Sequence, residues 1–477
     1  MVSRRKFITT TSMGLAGLAL SNHLMGSILP FQGGFATNRP APDKRNFVSK
    51  AVESLIAEVK AGIKDPELAW LFENCFPNTL DTTIIPSLQD GKPDTFVITG
   101  DIRAMWLRDS SAQVWPYIPL ISKDPALQQL IAGVINRQAK CIRLDPYANA
   151  FMYGDEISYW KTDLTDMKPG LHERKFEIDS LCYPIRLSHG YWKASGDTSV
   201  FDDNWQKAME LIYHTFIEQQ RKDNHGPYSF KRQTTTQADT VPGDGYGNPI
   251  RPVGLICSVF RPSDDATIFP FLVPSNFFAV QSLRQLAEIQ ENVRSIPEFA
   301  SNLRTLADEV ESALMKYAVI NHPVHGHILA YEVDGFGNAI SMDDANAPSL
   351  LSLPYLNCIN AHHKLYRNTR KFILSEDNPW YFSGKAAKGV GSPHTQIDRI
   401  WPIALTMQAL TSHDPEEIAS CIRMLRNSHA GKGFMHESFH KDNPADYSRD
   451  WFAWANTLFG ELIIKTYHEH PEILKSV

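Results

Sequence analysis

Apolar residues recur at helical spacing along almost the whole chain after residue 40. Asp124-Pro125 and Asp414-Pro415 each place a capping side chain before a proline at the first helical position, which is typical of a helix start. A first amphipathic helix is predicted from the apolar stripe formed by Phe47, Val48, Ala51, Val52, Leu55, Ile56 and Val59. Further helices are predicted over residues 180–196, 201–222, 275–292, 297–318, 353–366, 396–411 and 450–468. Only residues 95–99 and 327–333 resemble strands. Because apolar residues are spaced mainly with the helical period, the sequence predicts an all-α fold.

Four long segments between these helices contain the unusual residues: 142–178, 223–272, 368–395 and 429–449. Irregular segments of this length in a compact chain are more often functional than idle. The sequences "DGYGNP" (244–249) and "DGFGNA" (334–339) are interpreted as turns rather than as calcium-binding loops. Many helices with functional loops at one end indicate a helical barrel or toroid rather than a bundle.

Composition and charge limit the organisation and the partners of the chain. A length of 477 residues suggests about three domains, but no Pro/Gly/Ser-rich linker divides the sequence. We therefore expect a single domain over residues 39–477, and a monomer. The formal net charge of −6 gives no basic footprint for nucleic acid or for an anionic membrane surface.

The N-terminus differs from the rest of the chain. Arg4 and Arg5 precede a mildly apolar run from Met13 to Leu20, the pattern of a twin-arginine export signal. The run is far shorter than the roughly 20 apolar residues that span a bilayer, so no stable membrane anchor is expected. The sequence predicts that residues 1–38 form a signal peptide and tether, and that the protein is periplasmic.

The first candidate site is "TGDIRAMWLRDSSAQVWPY", Thr99 to Tyr117. It sets two acid–base pairs, Asp101 with Arg103 and Arg108 with Asp109, among large apolar side chains that include Trp106. A sugar ring can be recognised by such a combination, because aromatic faces stack on its C–H surface and the charged groups bond its hydroxyls. The alternative is a structural ion pair near a helix start.

The second candidate is "GLICSVFRPSDDATIFPFLVPSN", Gly254 to Asn276. Arg261, Asp264 and Asp265 are isolated there among apolar residues. A carboxyl group in such surroundings is expected to have a raised pKa, which suits a proton donor near neutrality. Alternatively, Ser263 and the two aspartates cap a helix that begins at Ala266.

The third candidate contains a literal H-E-x-x-H, formed by His436, Glu437 and His440. In zinc peptidases this motif requires a helix, so that both histidines lie on one face. Gly431, Gly433 and the Asn443-Pro444 pair leave little room for one. We therefore predict a loop that delivers Glu437 as a carboxylate, with no metal and no other cofactor.

Five blocks together resemble glycoside hydrolase family 125, exo-acting α-1,6-mannosidases: "GDIRAMWLRDS", "FEIDSLCYP", "FRPSDDA", "SPHTQIDRIWPIA" and "MHESF…WFAWAN". They occur in order between about residues 45 and 470. The resemblance implies an (α/α)6 barrel, an inverting mechanism without metal, and α-mannoside oligosaccharides as partners.

The resemblance also implies roles for individual residues. Asp264 is assigned as the general acid and Glu437 as the general base, with Asp264 preferred over Asp265. Substrate binding is assigned to Asp101, Arg103, Trp106, Arg108, Asp109, Asp179, Arg261, Asp265 and His394. Two alternatives stay open: a zinc-dependent peptidase that uses His436, Glu437 and His440, and a non-catalytic periplasmic glycan-binding protein.

Overall fold

The computed structural model describes residues 35–477, so the predicted signal peptide lies almost wholly outside the described residues. Within this range the chain is dominated by helices. They are α1 Lys50–Gly62, α2 Pro66–Cys75, α3 Leu107–Val114, α4 Pro125–Leu144, α5 Ile178–Ser195, α6 Asp203–Gln219, α7 Val273–Asn292, α8 Pro297–Tyr317, α9 Lys364–Ile373, α10 Pro402–Leu410, α11 Pro415–Arg426, α12 Ala453–Glu469 and α13 Ile473–Ser476.

Short strands form small two- and three-stranded antiparallel sheets between the helices. They are β1 Ile84–Gln89, β2 Lys92–Val97, β3 Met105–Trp106, β4 Ala150–Phe151, β5 Leu171–Glu173, β6 Phe271–Leu272, β7 Val319–His322, β8 Gly326–Leu329, β9 Glu332–Val333, β10 Ala339–Ile340, β11 Tyr381–Ser383, β12 Lys388–Val390, β13 Arg399–Ile400, β14 Phe439–His440 and β15 Asn443–Tyr447.

Most of the predicted helices are confirmed, and their caps act as expected. The Asp124 carboxylate accepts hydrogen bonds from the backbone N–H groups of Ala126 and Leu127 at the start of α4. Asp414 accepts one from Glu416 at the start of α11. A cap of this kind satisfies N–H groups that have no partner within the helix.

The predicted helix over residues 353–366 is wrong. Residues 349–360 form successive turns, and α9 begins only at Lys364. Pro354 lacks a donor N–H, and Asn357 adopts a left-handed φ of 58°, so an apolar run that looks helical cannot continue as one. The helix predicted over 396–411 starts at Pro402, because Arg399 and Ile400 pair with β14 as a strand. Helices α2 and α3 were not predicted.

The helices pack in an orderly succession around one core. Helix α3 packs against α5 and α12, α5 against α7, and α10 against α12. The turn segment 343–358 lies against two of these helices, since Tyr183 of α5 donates to the carbonyl of Ala347 and Tyr355 donates to Glu461 of α12. Helix α4 packs against α6, α7 against α8, and α10 against α11. One hydrophobic cluster extends from Val52 to Leu474.

Helices α3, α10 and α12 begin at a common end of the molecule. The residue that immediately precedes each of these helices lines the same cavity: Trp106, Trp401 and Phe452. The N-termini of these helices carry partial positive charge and unpaired N–H groups. No helix among residues 35–477 is long and apolar enough to cross a bilayer.

Candidate active site

One cavity lies at this end of the helices and collects residues from all three predicted sites. Six predicted residues line it: Trp106, Arg108, Asp109, Asp264, His394 and Glu437. The other lining residues are Thr99, Ile102, Pro262, Ser263, Asn346, Trp401, Arg449 and Phe452. Segments that are more than 300 residues apart in sequence therefore meet at one place.

Arg108 and Asp109 lie side by side in the first turn of α3 and are almost fully buried. Arg108 Nε is 3.4 Å from Asp109 Oδ2. Neither atom makes a hydrogen bond to any of residues 35–477, and the same holds for Nε1 of Trp106. Buried polar atoms are costly to leave unsatisfied, so this corner of the cavity suits a ligand rich in hydroxyl groups.

The guanidinium of Arg108 is surrounded by carboxylates. Its Nη1 lies 2.5 Å from Glu177 Oε2 and 3.3 Å from Asp179 Oδ2, and its Nη2 lies 3.6 Å from Asp264 Oδ1. Burial raises the pKa of Asp109, raises that of Asp179 to about 6, and raises that of Glu177 well above its ordinary value. Asp179 does not line the cavity, but it contacts Arg108, which does.

Asp264 occupies a tight turn rather than a helix cap. Its φ of 65° is left-handed, and its N–H donates to the carbonyl of Arg261 over 2.9 Å. The alternative of a helix that begins at Ala266 is therefore wrong, since α7 begins at Val273. The carboxyl group is buried as expected, but its neighbours are polar: Asn149 Nδ2 donates to Oδ1 over 3.2 Å, and Arg108 lies beside it.

Asp265 and Arg261 lie outside the lining of the cavity. Asp265 Oδ1 lies 2.9 Å from Nδ1 of His394, a residue that lines the cavity. Arg261 Nε donates to Glu332 over 2.6 Å. Both residues are buried. Asp265 is therefore connected to the cavity through His394, whereas the Arg261 side chain pairs with a residue that does not line the cavity.

Glu437 reaches the cavity from an irregular segment, as predicted. His436 and Glu437 are not helical, and His440 belongs to β14. Ser448 Oγ donates to Glu437 Oε2 over 2.9 Å, and Arg449 Nη1 lies 3.4 Å from Oε1. These two contacts fix the position of the Glu437 carboxyl group at the cavity.

The two histidines of the H-E-x-x-H sequence do not converge. His436 stacks on Tyr447 with ring centroids 3.8 Å apart, and its Nδ1 contacts the carbonyl of Arg449. Burial lowers the pKa of His436, which favours the neutral imidazole. His440 Nδ1 instead accepts a hydrogen bond from the N–H of Asp442.

The pairing predicted between Asp101 and Arg103 is wrong. Asp101 contacts the guanidinium of Arg449 instead. Arg103 is exposed and is not among the cavity-lining residues. Because Arg449 also contacts Glu437, Asp101 is connected to the cavity through that arginine.

Comparison with known proteins agrees with this geometry. The profile of the family described as "Metal-independent alpha-mannosidase (GH125)" matches residues 65–464. The chain belongs to glycoside hydrolase family 125. It is a glycoside hydrolase, and the family is one of metal-independent α-mannosidases.

Individual relatives of this family 125 enzyme include a bacterial and a fungal protein. A structure of a metal-independent α-mannosidase from Streptococcus pneumoniae, in a non-productive complex with α-1,6-mannobiose, is 41% identical with a TM-score of 0.85, and the match covers 91% of this chain and 100% of that one. The meiotically up-regulated gene 157 protein of Schizosaccharomyces pombe is 40% identical over 466 residues, which are 94% of this chain and 90% of that protein.

The fold of this family 125 enzyme also resembles that of a bacterial glucoamylase whose structure was determined with acarbose. The identity is 13% and the TM-score 0.54, over 85% of this chain and 57% of that one. At such low identity the likeness shows the fold alone. It indicates a helix-rich, glucoamylase-like architecture.

Membership of family 125 decides between the alternatives left by the sequence. The zinc-peptidase hypothesis is wrong, because the family is metal-independent and the H-E-x-x-H residues are not on a helix. The hypothesis of a non-catalytic binding protein is also wrong, since the family is one of glycosidases. Among the described residues, one group of three possible metal ligands occurs, His322, His325 and Asp377, and none of them lines the cavity.

Two residues of this candidate site, Arg449 and Glu177, were not predicted from the sequence. Arg449 follows Ser448 and precedes Asp450 and Trp451, so it repeats the Arg-Asp pair with aromatic neighbours that drew attention at Arg108. That signal could have found it. Glu177 carries no comparable signal, because its importance comes from contacts with Arg108 on another element.

Proposed function

We propose that the protein is an exo-acting α-1,6-mannosidase that releases terminal mannose with inversion at the anomeric carbon. The observation that carries the proposal is the meeting of Asp264, Glu437 and the Arg108–Asp109 pair around one cavity. Two carboxyl groups and a polar corner for sugar hydroxyls are the elements that glycoside hydrolysis requires.

In this mechanism Asp264 is the general acid and Glu437 the general base. Asp264 donates a proton to the glycosidic oxygen, and Glu437 removes a proton from the water that attacks the opposite face of the sugar. The contacts of Glu437 with Ser448 and Arg449 hold its carboxyl group at the cavity. An inverting pair is expected about 6.5–9.5 Å apart, which leaves room for that water.

The terminal mannose is proposed to occupy the corner formed by Trp106, Arg108 and Asp109. Behind Arg108 lie Glu177 and Asp179, whose side chains are 0% exposed. Because these buried side chains close the cavity behind Arg108, a sugar chain cannot extend past this corner, which supports cleavage from the chain end. His394 is proposed to contact the ligand directly, because it lines the cavity. Asp101, Asp179 and Asp265 are proposed to act through the lining residues Arg449, Arg108 and His394, respectively. Arg103 and Arg261 lie outside the lining.

The substrates are proposed to be N-glycan or mannan fragments with terminal α-1,6-linked mannose. The α-1,6-mannobiose bound by the Streptococcus pneumoniae relative supports this linkage. Residues 39–477 are proposed to form one catalytic domain with an (α/α)6 barrel. In that barrel the turn segment 343–358 takes the place of an inner helix, which its contacts with α5 and α12 support.

The decisive experiment is digestion of a panel of α-linked mannobioses, followed by proton NMR before mutarotation. We expect α-1,6-mannobiose to be cleaved fastest and β-mannose to appear first. Initial release of α-mannose would refute inversion, and preference for another linkage would refute the assigned specificity.

We also propose that the enzyme is a periplasmic monomer exported by the twin-arginine route. Replacing Arg4 and Arg5 by lysine is expected to retain the protein in the cytoplasm. Unchanged recovery from the periplasm would contradict this localisation. Sedimentation of the exported protein measures its oligomeric state.

A further inference from the structure

The buried carboxylates around Arg108 outnumber the positive charge available to them. Asp109, Glu177, Asp179 and Asp264 all contact this one guanidinium. None of the four side chains is more than 10% exposed. Four ionised carboxylates would still outnumber the positive charges near them, which are Arg108, Lys175 beside Asp264 and Arg449 near Asp109. Burial disfavours such an excess of like charge, so retention of a proton by the cluster is favoured.

Glu177 and Asp264 are the members of the cluster that contact each other. A hydrogen bond joins their side chains. Asn149 Nδ2 also bridges them, donating to Glu177 Oε1 over 3.4 Å and to Asp264 Oδ1 over 3.2 Å. Two carboxyl groups in direct contact cannot both ionise easily, so one proton is held between them.

We propose that Glu177 and Asp264 form a carboxyl pair that holds one proton in common, and that Asp264 delivers this proton to the leaving group. Only Asp264 lines the cavity; Glu177 is behind it and touches no substrate. Glu177 is thus a positioning residue, which keeps the acid loaded between turnovers. The inference rests on the proposed role of Asp264.

Other groups around the pair determine how firmly the proton is held. Arg108 favours loss of the proton, and so does Ser180, whose Oγ donates to Glu177 Oε2 over 2.8 Å. The remaining charged or titratable neighbours are Asp109 on α3, Asp179 on α5, Lys175, whose Nζ donates to the Asp264 carbonyl over 2.8 Å, and Tyr228. Burial raises the pKa of Glu177, in agreement with a retained proton.

The test compares pH profiles of kcat/KM on α-1,6-mannobiose. In Glu177→Gln, Asp264 has no carboxyl partner with which to share a proton, while the positive charge of Arg108 remains beside it. The alkaline limb is therefore expected to move to lower pH, by about 1–3 on the pH scale. Glu177→Asp, which keeps a carboxyl group, is expected to restore part of the profile. An activated aryl mannoside, which needs little protonation, should show a much smaller alkaline loss in Glu177→Gln.

Ser180→Ala provides a second test if Glu177→Gln folds poorly, because it is expected to shift the alkaline limb of the kcat/KM profile in the opposite direction. Loss of the hydroxyl donor makes ionisation of the pair harder, so the alkaline limb is expected to move to higher pH. Glu461→Gln is the matched control, since Glu461 is a glutamate on α12 that contacts Tyr355 and does not line the cavity. Its profile should match that of the wild type.

An unchanged alkaline limb in folded Glu177→Gln, or in Ser180→Ala, would overturn the carboxyl pair. The proposed function fails by a different result, namely full activity of Asp264→Asn on mannobiose. The two failures are therefore distinguishable.

Discussion

Arg449 holds Glu437 by an ion pair, with Nη1 3.4 Å from Oε1, and the same guanidinium contacts Asp101. Arg449→Met is expected to reduce kcat/KM on α-1,6-mannobiose by about 10- to 150-fold, since a charge-assisted hydrogen bond contributes about 1.5–3 kcal/mol. Arg399→Met is the control, because Arg399 is equally buried, at 12% exposure, and pairs with Asp446. Equal effects of both changes would show that Arg449 is only structural.

The acid and the base should respond differently to the leaving group. Asp264→Asn is expected to lose about 10²–10⁴-fold in rate on mannobiose and far less on an activated aryl mannoside, which departs without a proton. Glu437→Gln should lose activity on both substrates alike. These rates are measured with purified, folded variants. An inactive Asp265→Asn beside an active Asp264→Asn would transfer the acid role by one residue.

Binding of the terminal sugar should depend on the charge of Asp109. Asp109→Asn keeps the shape of the side chain but removes a charge-assisted hydrogen bond, which is expected to cost about 1.5–3 kcal/mol of mannose binding. Calorimetric titration with mannose measures this loss. Asp94→Asn serves as the control, because Asp94 forms a buried pair with Arg137 over 2.5 Å and lies outside the cavity. Wild-type affinity in Asp109→Asn would disprove the assignment.

The stability of the fold should fall at alkaline pH because of Asp343. Burial raises the pKa of this carboxyl to about 8, although the N–H groups of Leu350 and Leu351 donate to it. The unfolded value is about 3.9, so the contribution to stability is fully present below about pH 4 and is lost as the pH rises through 8. Between pH 6.5 and 9 the free energy of unfolding of the wild type should fall by on the order of 1–3 kcal/mol more than that of Asp343→Asn.

Denaturant unfolding of both proteins at the two pH values gives this difference. Asp90→Asn, a change in an exposed turn, is the control and should follow the wild type. Parallel losses in wild type and Asp343→Asn would contradict a protonated Asp343.

Local signals in the sequence predicted the parts of the fold that depend on neighbouring residues. Asp124-Pro125 and Asp414-Pro415 marked helix starts correctly, because a cap acts within three residues of itself. Residues 353–366 were mispredicted, because the apolar pattern outweighed Pro354 and the left-handed Asn357. Helix α3 was missed since all of its residues are buried, which leaves no amphipathic stripe.

The candidate site was predictable only where its charged residues lie close to one another in the sequence. Arg108 beside Asp109, and Asp264 in its polar turn, stand out as charges among apolar residues. The pairing of Asp101 with Arg449 and that of Glu177 with Arg108 join residues 348 and 69 positions apart. Such contacts depend on how helices pack, and a single sequence carries no record of them.

The distribution of the site along the chain has a consequence for biosynthesis. A nascent chain that has reached residue 265 already contains the Arg108–Asp109 corner and Asp264, but Glu437 and the helix α12 that packs on α3 are still to be made. A ribosome-bound fragment that lacks Glu437 and α12 is therefore expected to be inactive on glycosides. Activity is expected to begin only when the polypeptide is released almost whole.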